Sequence, residues 1–235
     1  MTTLMQRLRV GRRTSWERPI PRRESPWLRS PARLRWLTHL GALFPLAWLL
    51  WDAYTGRLSV NPIQDITFRT GRPAFVLLIL SLACTPAYIL TGWRSVIGVR
   101  RLLGLYAFFY ATLHFLVFVG LDYGFDWPLI QEAIFEKRFA LAGFAAWLVL
   151  LPLAVTSTQN WMRRLGRRWK SLHRTAYLAG VLAVVHFLWL VKGDYRRPVA
   201  WGILLAFLLL VRIPPIRRAI VRLRGRGLGP RPANP

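Results

Sequence analysis

Apolar residues run through this chain in six long stretches, separated by short polar segments rich in arginine. Several stretches approach the ~20 residues that an α-helix needs to cross a bilayer, and the shorter first and last ones would be completed by flanking residues. The stretches are about Trp36–Trp51, Pro73–Thr91, Leu102–Leu121, Phe139–Thr156, Leu172–Val191 and Val199–Val211. The pattern predicts an all-α membrane protein, a six-transmembrane-helix bundle, and no internal repeat is evident in it.

The charged residues predict how this bundle is oriented. The segments on the N-terminal side of the membrane (1–35, 92–101, 157–174 and 212–235) hold 26 Lys and Arg residues and two acidic residues. The segments on the other side (52–73, 121–138 and 192–198) hold eight basic and seven acidic residues. Because cytoplasmic loops carry an excess of Lys and Arg, we expect both termini in the cytoplasm.

Composition narrows the functional class. The chain is 54% hydrophobic and carries a net charge of +25. Such a charge can indicate nucleic-acid binding, but the arginines lie in loops and tails around charge-poor stretches, so the lipid bilayer is the predicted partner and nucleic acid is not. The one cysteine, Cys84, excludes an internal disulfide and argues against Fe–S clusters and cysteine-based zinc sites.

The same contrast divides the chain into three parts. Residues 1–35 are Arg-rich and contain prolines, which predicts a mostly disordered cytoplasmic extension. Residues 36–213 form the predicted transmembrane domain. Residues 214–235 form a basic cytoplasmic tail, which begins where Pro214 and Pro215 end the last predicted span.

All four histidines, His39, His114, His173 and His186, lie in or beside the apolar stretches. An ionisable residue at membrane depth is a functional candidate. Counted from the cytoplasmic side, His114 lies 12 residues along the third stretch and His186 lies 14 residues along the fifth, so both reach a similar depth. Two imidazoles at one depth can ligate a haem iron from both faces, and bis-histidine ligation favours electron transfer.

The other two histidines allow more than one interpretation. His39 and His173 both lie near the cytoplasmic side and would hold a second haem. Yet His173 precedes His186 by 13 residues, which turns an ideal helix by about 220° and points the two side chains apart. A bulge, or a position of His173 just before the regular helix, would resolve this; so would a single-haem protein. Histidines that serve packing or a proton relay in a non-redox transporter or assembly factor are the remaining alternative.

Charged residues near the two ends of the predicted bundle suggest further contacts. Arginines crowd the cytoplasmic side, where most would meet lipid headgroups and one or two would pair with haem propionates, a quinone or a flavin phosphate. The acidic residues of the loop between the third and fourth predicted spans are Asp122, Asp126, Glu132 and Glu136. They form either a candidate docking face for a partner protein or a solvated loop.

Four segments carry a specific family resemblance, which covers roughly Leu34 to Val211. They read THLGALFPLAWLLWD around His39, NPIQDITFRTGRPAFVLLILSLACTP, RRLLGLYAFFYATLHFLVFV around His114, and LLPLAVTSTQNWMRRLGRRWKSLHRTAYLAGVLAVVHFLWLVK with His173 and His186. In these segments the chain resembles the MsrQ family, also called YedZ. That family belongs to the ferric-reductase-like transmembrane group and is the haem-binding membrane subunit of a bacterial periplasmic methionine-sulfoxide reductase system.

The resemblance implies a function. It implies that His114, His173 and His186 correspond to haem ligands, with His39 matching a further histidine of the family. It also implies a periplasmic molybdopterin (MsrP-like) partner that reduces methionine sulfoxide, a location in the bacterial inner membrane, and electrons from the quinone pool or a cytosolic flavin reductase, with bound FMN associated with the family. No GxGxxG or P-loop motif occurs in the sequence, so a separate electron donor is expected. A b-type cytochrome with a different acceptor is the alternative.

Overall fold

A computed structural model describes residues 31–226, and these residues are almost entirely helical. Ten α-helices follow one another in this part of the chain, with no β-strand among them: α1 (Pro31–Tyr54), α2 (Pro62–Thr91), α3 (Ser95–Val117), α4 (Trp127–Glu136), α5 (Arg138–Val155), α6 (Gln159–Leu165), α7 (Arg167–Leu172), α8 (Ala176–Leu190), α9 (Arg196–Leu210) and α10 (Pro214–Arg226). A π-helical turn (Phe118–Asp122) continues α3, and a 3-10 turn (His173–Thr175) joins α7 to α8. The all-α prediction is confirmed, whereas most of the predicted N-terminal extension lies outside the described residues.

The helices that qualify as membrane spans number fewer than the six predicted. Within residues 31–226, four helical runs are long and apolar enough to cross a bilayer: Pro62–Thr91, Ser95–Asp122, Arg138–Val155 and Arg167–Leu190. A fifth would combine α9 and α10, which are bent by 77° at the break between them. α1 has sufficient length, with 24 residues, but it is not among the helices that are also apolar enough. The chain is a multi-pass membrane protein, and the six-span count is not confirmed.

Two antiparallel helix pairs form the centre of the bundle. α2 packs along α3 and α5 packs along α8, while α1 lies against α2 and α3, and α9 lies against α8. The helices approach closely where residues are small: a Cβ atom at Gly180 of α8 would lie 2.8 Å from Leu82 of α2 and 3.5 Å from Leu205 of α9. Small residues at such crossings are typical of membrane proteins, because lipid tails are as apolar as the side chains and close packing must hold the helices together.

Tyr110 of α3 satisfies the backbone of α1 beside a proline. Pro45 lies inside α1, where it removes one helical hydrogen bond. The fully buried Tyr110 hydroxyl donates to the Ala42 carbonyl (2.6 Å) and accepts from the Leu46 amide (3.1 Å). These are the two groups that an uninterrupted α-helix would pair. A neighbouring side chain thus compensates for the disturbed helix, as membrane helices with internal prolines require.

Tyr110→Phe is therefore expected to lower the free energy of unfolding by roughly 1–3 kcal/mol, because two buried backbone groups lose their partner. Denaturant-induced unfolding in mixed micelles would measure the loss. Tyr54→Phe is the matched control, since Tyr54 is 86% exposed. An equal loss in both variants would contradict the bridging role of the Tyr110 hydroxyl.

The two ends of the bundle differ in charge. Every Asp and Glu of the described part lies at one end, which we call the acidic end: Asp52, Asp65, Asp122, Asp126, Glu132, Glu136 and Asp194. There, Arg69 of α2 pairs with Asp52 of α1 (2.5 Å) and with Asp65 of its own helix (2.9 Å). The opposite end, which we call the basic end, comprises the α2–α3 loop, α6, α7, α10 and the helix termini beside them. Most described arginines lie at the basic end, with no carboxylate among the described residues there.

The last helix, α10, folds back onto the basic end. Arg224 of α10 donates from Nη1 to the carbonyls of Tyr88 (3.0 Å) and Ile89 (2.9 Å) near the end of α2. Carbonyls in the last turn of a helix lack intrahelical partners and carry partial negative charge. Arg224 therefore holds α10 against α2, so that the first part of the predicted tail is an ordered helix.

Candidate functional site

Two imidazoles lie side by side near the acidic end of the bundle. His114 is close to the C-terminal end of α3, and His186 is close to the C-terminal end of α8. Their ring centres are 6.2 Å apart and their planes are inclined by 80°. The structure thus brings together the two histidines whose depths are matched in the sequence.

A carbonyl of the neighbouring helix orients each imidazole. Nδ1 of His114 lies 3.0 Å from the carbonyl oxygen of Thr67 in α2, and Nδ1 of His186 lies 2.6 Å from that of Phe139 in α5. A carbonyl oxygen only accepts hydrogen bonds, so each Nδ1 carries the proton and donates it. The lone pair of each imidazole is then on Nε2, the tautomer in which Nε2 can ligate a metal.

A glycine provides the space for each ring. A Cβ atom at Gly71 of α2 would lie 3.0 Å from Nδ1 and from Cε1 of His114. A Cβ atom at Gly143 of α5 would lie 2.7 Å from Nδ1 and 2.9 Å from Cε1 of His186. Any larger residue would push the ring away from the helix and from its carbonyl acceptor. Both glycines are therefore parts of the site, although sequence reasoning did not identify them.

The two halves of the site are built alike. Residues 67, 71 and 114 provide the carbonyl, the glycine and the histidine of one half, and residues 139, 143 and 186 provide those of the other, an offset of 72 residues in each case. The sequence contains the signal, because His-Phe-Leu occurs at 114–116 and again at 186–188, each time with a glycine 43 residues earlier. The helix pairs α2–α3 and α5–α8 thus form a structural repeat that periodicity alone does not reveal.

The spacing suits one metal ion between the two imidazoles. A bond from a metal to an imidazole nitrogen is about 2.0–2.1 Å long, so two rings that share an ion have their centres roughly 6 Å apart. Within residues 31–226, no group of three or more His, Cys, Asp or Glu side chains converges on a metal. A structural zinc site uses four protein ligands, but only two imidazoles meet here. Two imidazoles are sufficient for haem iron, because the macrocycle fills the other coordination positions.

His173 lies at the opposite, basic end. It begins the 3-10 turn before α8, so it is not on one uninterrupted α-helix with His186. Its ring stacks on Trp169, with ring centres 4.0 Å apart, and its Nε2 lies 3.2 Å from the Thr156 hydroxyl. Trp169 also donates from Nε1 to the Thr156 carbonyl (2.9 Å). These contacts position His173 between α5 and α7.

His39 occupies a third place, on α1. Its Nδ1 lies 2.7 Å from the hydroxyl of Tyr106 in α3, and it lines a shallow groove with Arg35 and Trp36. In the part of the chain that the structure describes, neither a hydrogen bond nor a ring contact joins His39 to His173. The structure therefore does not bring these two together as it brings together His114 and His186.

Comparison with known proteins shows which family the chain belongs to. The family model of the ferric reductase like transmembrane component matches residues 70–184. A protein of Xanthomonas axonopodis pv. citri, named protein-methionine-sulfoxide reductase heme-binding subunit MsrQ, is 48% identical over 183 residues, which cover 75% of this chain and 84% of that protein. Proteins of the same name from Xanthomonas campestris pv. campestris and Rhodospirillum rubrum are each 44% identical, over 84% and 76% of this chain and 93% and 87% of their own lengths. The chain belongs to the MsrQ family. The resemblance seen in the four sequence segments is thus confirmed.

The family match and the site overlap only in part. The ferric-reductase-like match at 70–184 contains His114 and His173 but ends two residues before His186. The MsrQ relatives match a longer part of the chain. The paired histidine site is therefore better compared with MsrQ proteins than with the wider transmembrane group.

Proposed function

We propose that this chain is the haem-binding electron-transfer subunit of a methionine-sulfoxide reductase system, with a b-type haem ligated by His114 and His186. The observation that carries this proposal is the pair of imidazoles 6.2 Å apart, each with Nδ1 on a backbone carbonyl. The printed names of the MsrQ relatives, which call them heme-binding subunits, support the same cofactor. Bis-histidine ligation leaves no open position at iron and therefore favours electron transfer over oxygen chemistry.

The chain's own residues prepare this site. When bound, haem supplies reversible one-electron transfer. The carbonyls of Thr67 and Phe139 hold the Nδ1 protons, which keeps both Nε2 atoms available as ligands and fixes the ring orientations. Gly71 and Gly143 let α2 and α5 lie directly behind the rings. Four helices thus hold the two side chains in place for the cofactor.

The position of the pair supports a direction for electron flow. The pair lies near the acidic end, which the positive-inside rule assigns to the periplasm, with both termini in the cytoplasm of a bacterium and the chain in its inner membrane. We propose that electrons come from the quinone pool or a cytosolic flavin reductase, with FMN or quinone as the carrier at the basic end. They would leave to a periplasmic molybdopterin enzyme, MsrP-like, that reduces methionine sulfoxide and so repairs oxidised proteins.

Helix α4 is the proposed place for this partner to dock. It begins after Asp126, whose side chain caps it, and it carries Glu132 and Glu136. One residue separates α4 from α5, and the second residue of α5 is Phe139, whose carbonyl holds His186. A partner on α4 would therefore lie close to the haem.

The decisive measurement is a reduced-minus-oxidised visible spectrum with haem quantification on the detergent-purified full chain. We expect low-spin b-type bands and at least one haem per chain. Two haems per chain would assign the second to the basic end, where His39 and His173 are the remaining imidazoles. Folded protein without haem, despite ample iron and haem during expression, would contradict the proposal.

A second measurement separates the proposed acceptor from others, because a cytochrome with another acceptor would have the same spectrum. The reduced chain is mixed anaerobically with the purified periplasmic reductase and methionine sulfoxide. We expect re-oxidation of the haem that depends on both additions. A haem that stays reduced would favour a different acceptor. Bound haem, whether it is re-oxidised or stays reduced, argues against a non-redox proton relay.

A further inference from the structure

A buried arginine at the basic end has a hydrogen-bond donor without a partner. Arg212, between α9 and α10, donates from Nη1 to the Tyr177 hydroxyl (2.5 Å) and from Nη2 to the Leu82 carbonyl. Its guanidinium also lies over the Tyr177 ring, 4.7 Å from the ring centre. Its Nε atom is buried and makes no hydrogen bond in the structure. Buried donors are nearly always paired, above all in charged groups, so a further acceptor is expected here.

A second arginine approaches the same part of α2. Arg100 of α3 donates from Nη1 to the hydroxyl of Thr85 (3.2 Å), three residues after Leu82. Leu82 and Thr85 are one helical turn apart on α2, so the two guanidiniums contact neighbouring positions of the same helix. Two cations close together repel each other unless an anion lies beside them. Both guanidinium groups therefore require the same kind of counter-ion.

The described part of the protein does not supply that anion. Every Asp and Glu between residues 31 and 226 lies at the acidic end. The groups that contact the two guanidiniums, at Leu82, Thr85 and Tyr177, are neutral hydroxyls and a carbonyl. A partly buried charge without a carboxylate partner is costly, and this favours an anion that comes from outside the chain.

The depth of the two arginines identifies the kind of anion. Arg100 lies two residues before the third apolar stretch, which begins at Leu102, and Arg212 directly follows the sixth, which ends at Val211. Both guanidiniums are therefore near the boundary of the hydrocarbon core, at the level of the phosphate groups of one leaflet. The planar guanidinium fork matches phosphate oxygens in geometry and charge.

We propose that Arg100 and Arg212 form a binding site for a phosphate group at the basic end, supplied by an anionic phospholipid headgroup or by a soluble phosphate-bearing molecule. One phosphate would accept from the free Nε of Arg212 and lie between the two cations. The site is at the opposite end of the bundle from His114 and His186, so it does not depend on haem binding by that pair.

Thermal unfolding of the detergent-purified full chain tests the site with two phosphate probes. One is phosphatidylglycerol in the micelle, with diacylglycerol as its phosphate-free control. The other is inorganic phosphate, with potassium chloride at equal ionic strength as its control. We expect a phosphate probe to raise the unfolding midpoint by roughly 5 °C over its control. A rise with the lipid alone assigns the site to a headgroup, and a rise with both assigns it to a phosphate that also reaches it from solution.

Matched variants connect the shift with the two arginines. Arg212→Gln and Arg100→Gln are each expected to lose most of the shift, and Arg212→Lys to retain part of it. Arg222→Gln is the control, because Arg222 is exposed on α10 and should respond as the wild type does. Elution volume and helical circular dichroism show which variants are folded. A wild type that responds to neither probe, or folded Arg212→Gln and Arg100→Gln variants that respond fully, would overturn the proposal.

Discussion

Removal of either imidazole, by His114→Ala or His186→Ala, is expected to abolish the low-spin haem spectrum. Each histidine would provide one of two protein ligands to iron, so either substitution leaves an open axial position. Removal of a group that is hydrogen-bonded to a metal ligand usually lowers affinity by roughly 10–100-fold. Removal of a ligand itself should lower haem affinity by more than that. Visible spectra and haem quantification on the purified variants would measure it. Haem that remains is expected to be high-spin.

Two controls separate a missing ligand from a misfolded bundle. His39→Ala makes the same chemical change on α1, where His39 contacts Tyr106 and not the pair, and should keep the low-spin bands of the haem that the pair holds. Imidazole added to the two alanine variants should restore part of the low-spin spectrum, because it fills the space of the deleted ring. If His114→Ala or His186→Ala kept the wild-type spectrum and haem content, the assignment of these ligands would be wrong.

The helices and the pairing of depths could be predicted from the sequence because both depend on local hydrophobicity. Charge-poor stretches locate α3, α5 and α8 to within several residues, and counting along them places His114 and His186 at similar heights. The beginning of α2 was harder to predict. The sequence places the second span from Pro73, but the helix begins at Pro62, after Asn61 accepts a hydrogen bond from the Gln64 amide. The polar first turn and the internal proline interrupt the apolar pattern, so the pattern does not predict this part of the helix.

The partners of the histidines could not be predicted, since they are formed by helix packing. The carbonyls of Thr67 and Phe139 have no side-chain signature, and a glycine within an apolar run gives no indication of which ring lies against it. The 3-10 turn at His173 was foreseen only as one way to resolve a geometric conflict. Arg212 was counted only among the basic residues of the cytoplasmic segment 212–235, whereas the bend between α9 and α10 directs it into the bundle.

Gly143→Ala is expected to weaken haem binding by roughly 10–100-fold, the usual cost of disturbing an outer partner at a metal site. The added methyl carbon would lie 2.7 Å from Nδ1 and 2.9 Å from Cε1 of His186, closer than such atoms can approach. The ring must then move and lengthen its 2.6 Å hydrogen bond to Phe139. Gly71→Ala should have a smaller effect in the same direction, because its methyl carbon would lie 3.0 Å from the His114 ring.

Haem titration of the chain depleted of haem would measure both affinities, with Gly98→Ala as the matched control. Nothing lies within 4 Å of a Cβ atom at Gly98 of α3, so this variant should bind haem normally. Alanine also favours a helix over glycine by roughly 0.5–1 kcal/mol, so all three variants gain the same intrinsic helical stability. A loss of affinity in Gly143→Ala but not in Gly98→Ala therefore reports the displaced ring. Equal affinities would mean that α5 moves aside and that His186 keeps its place without the glycine.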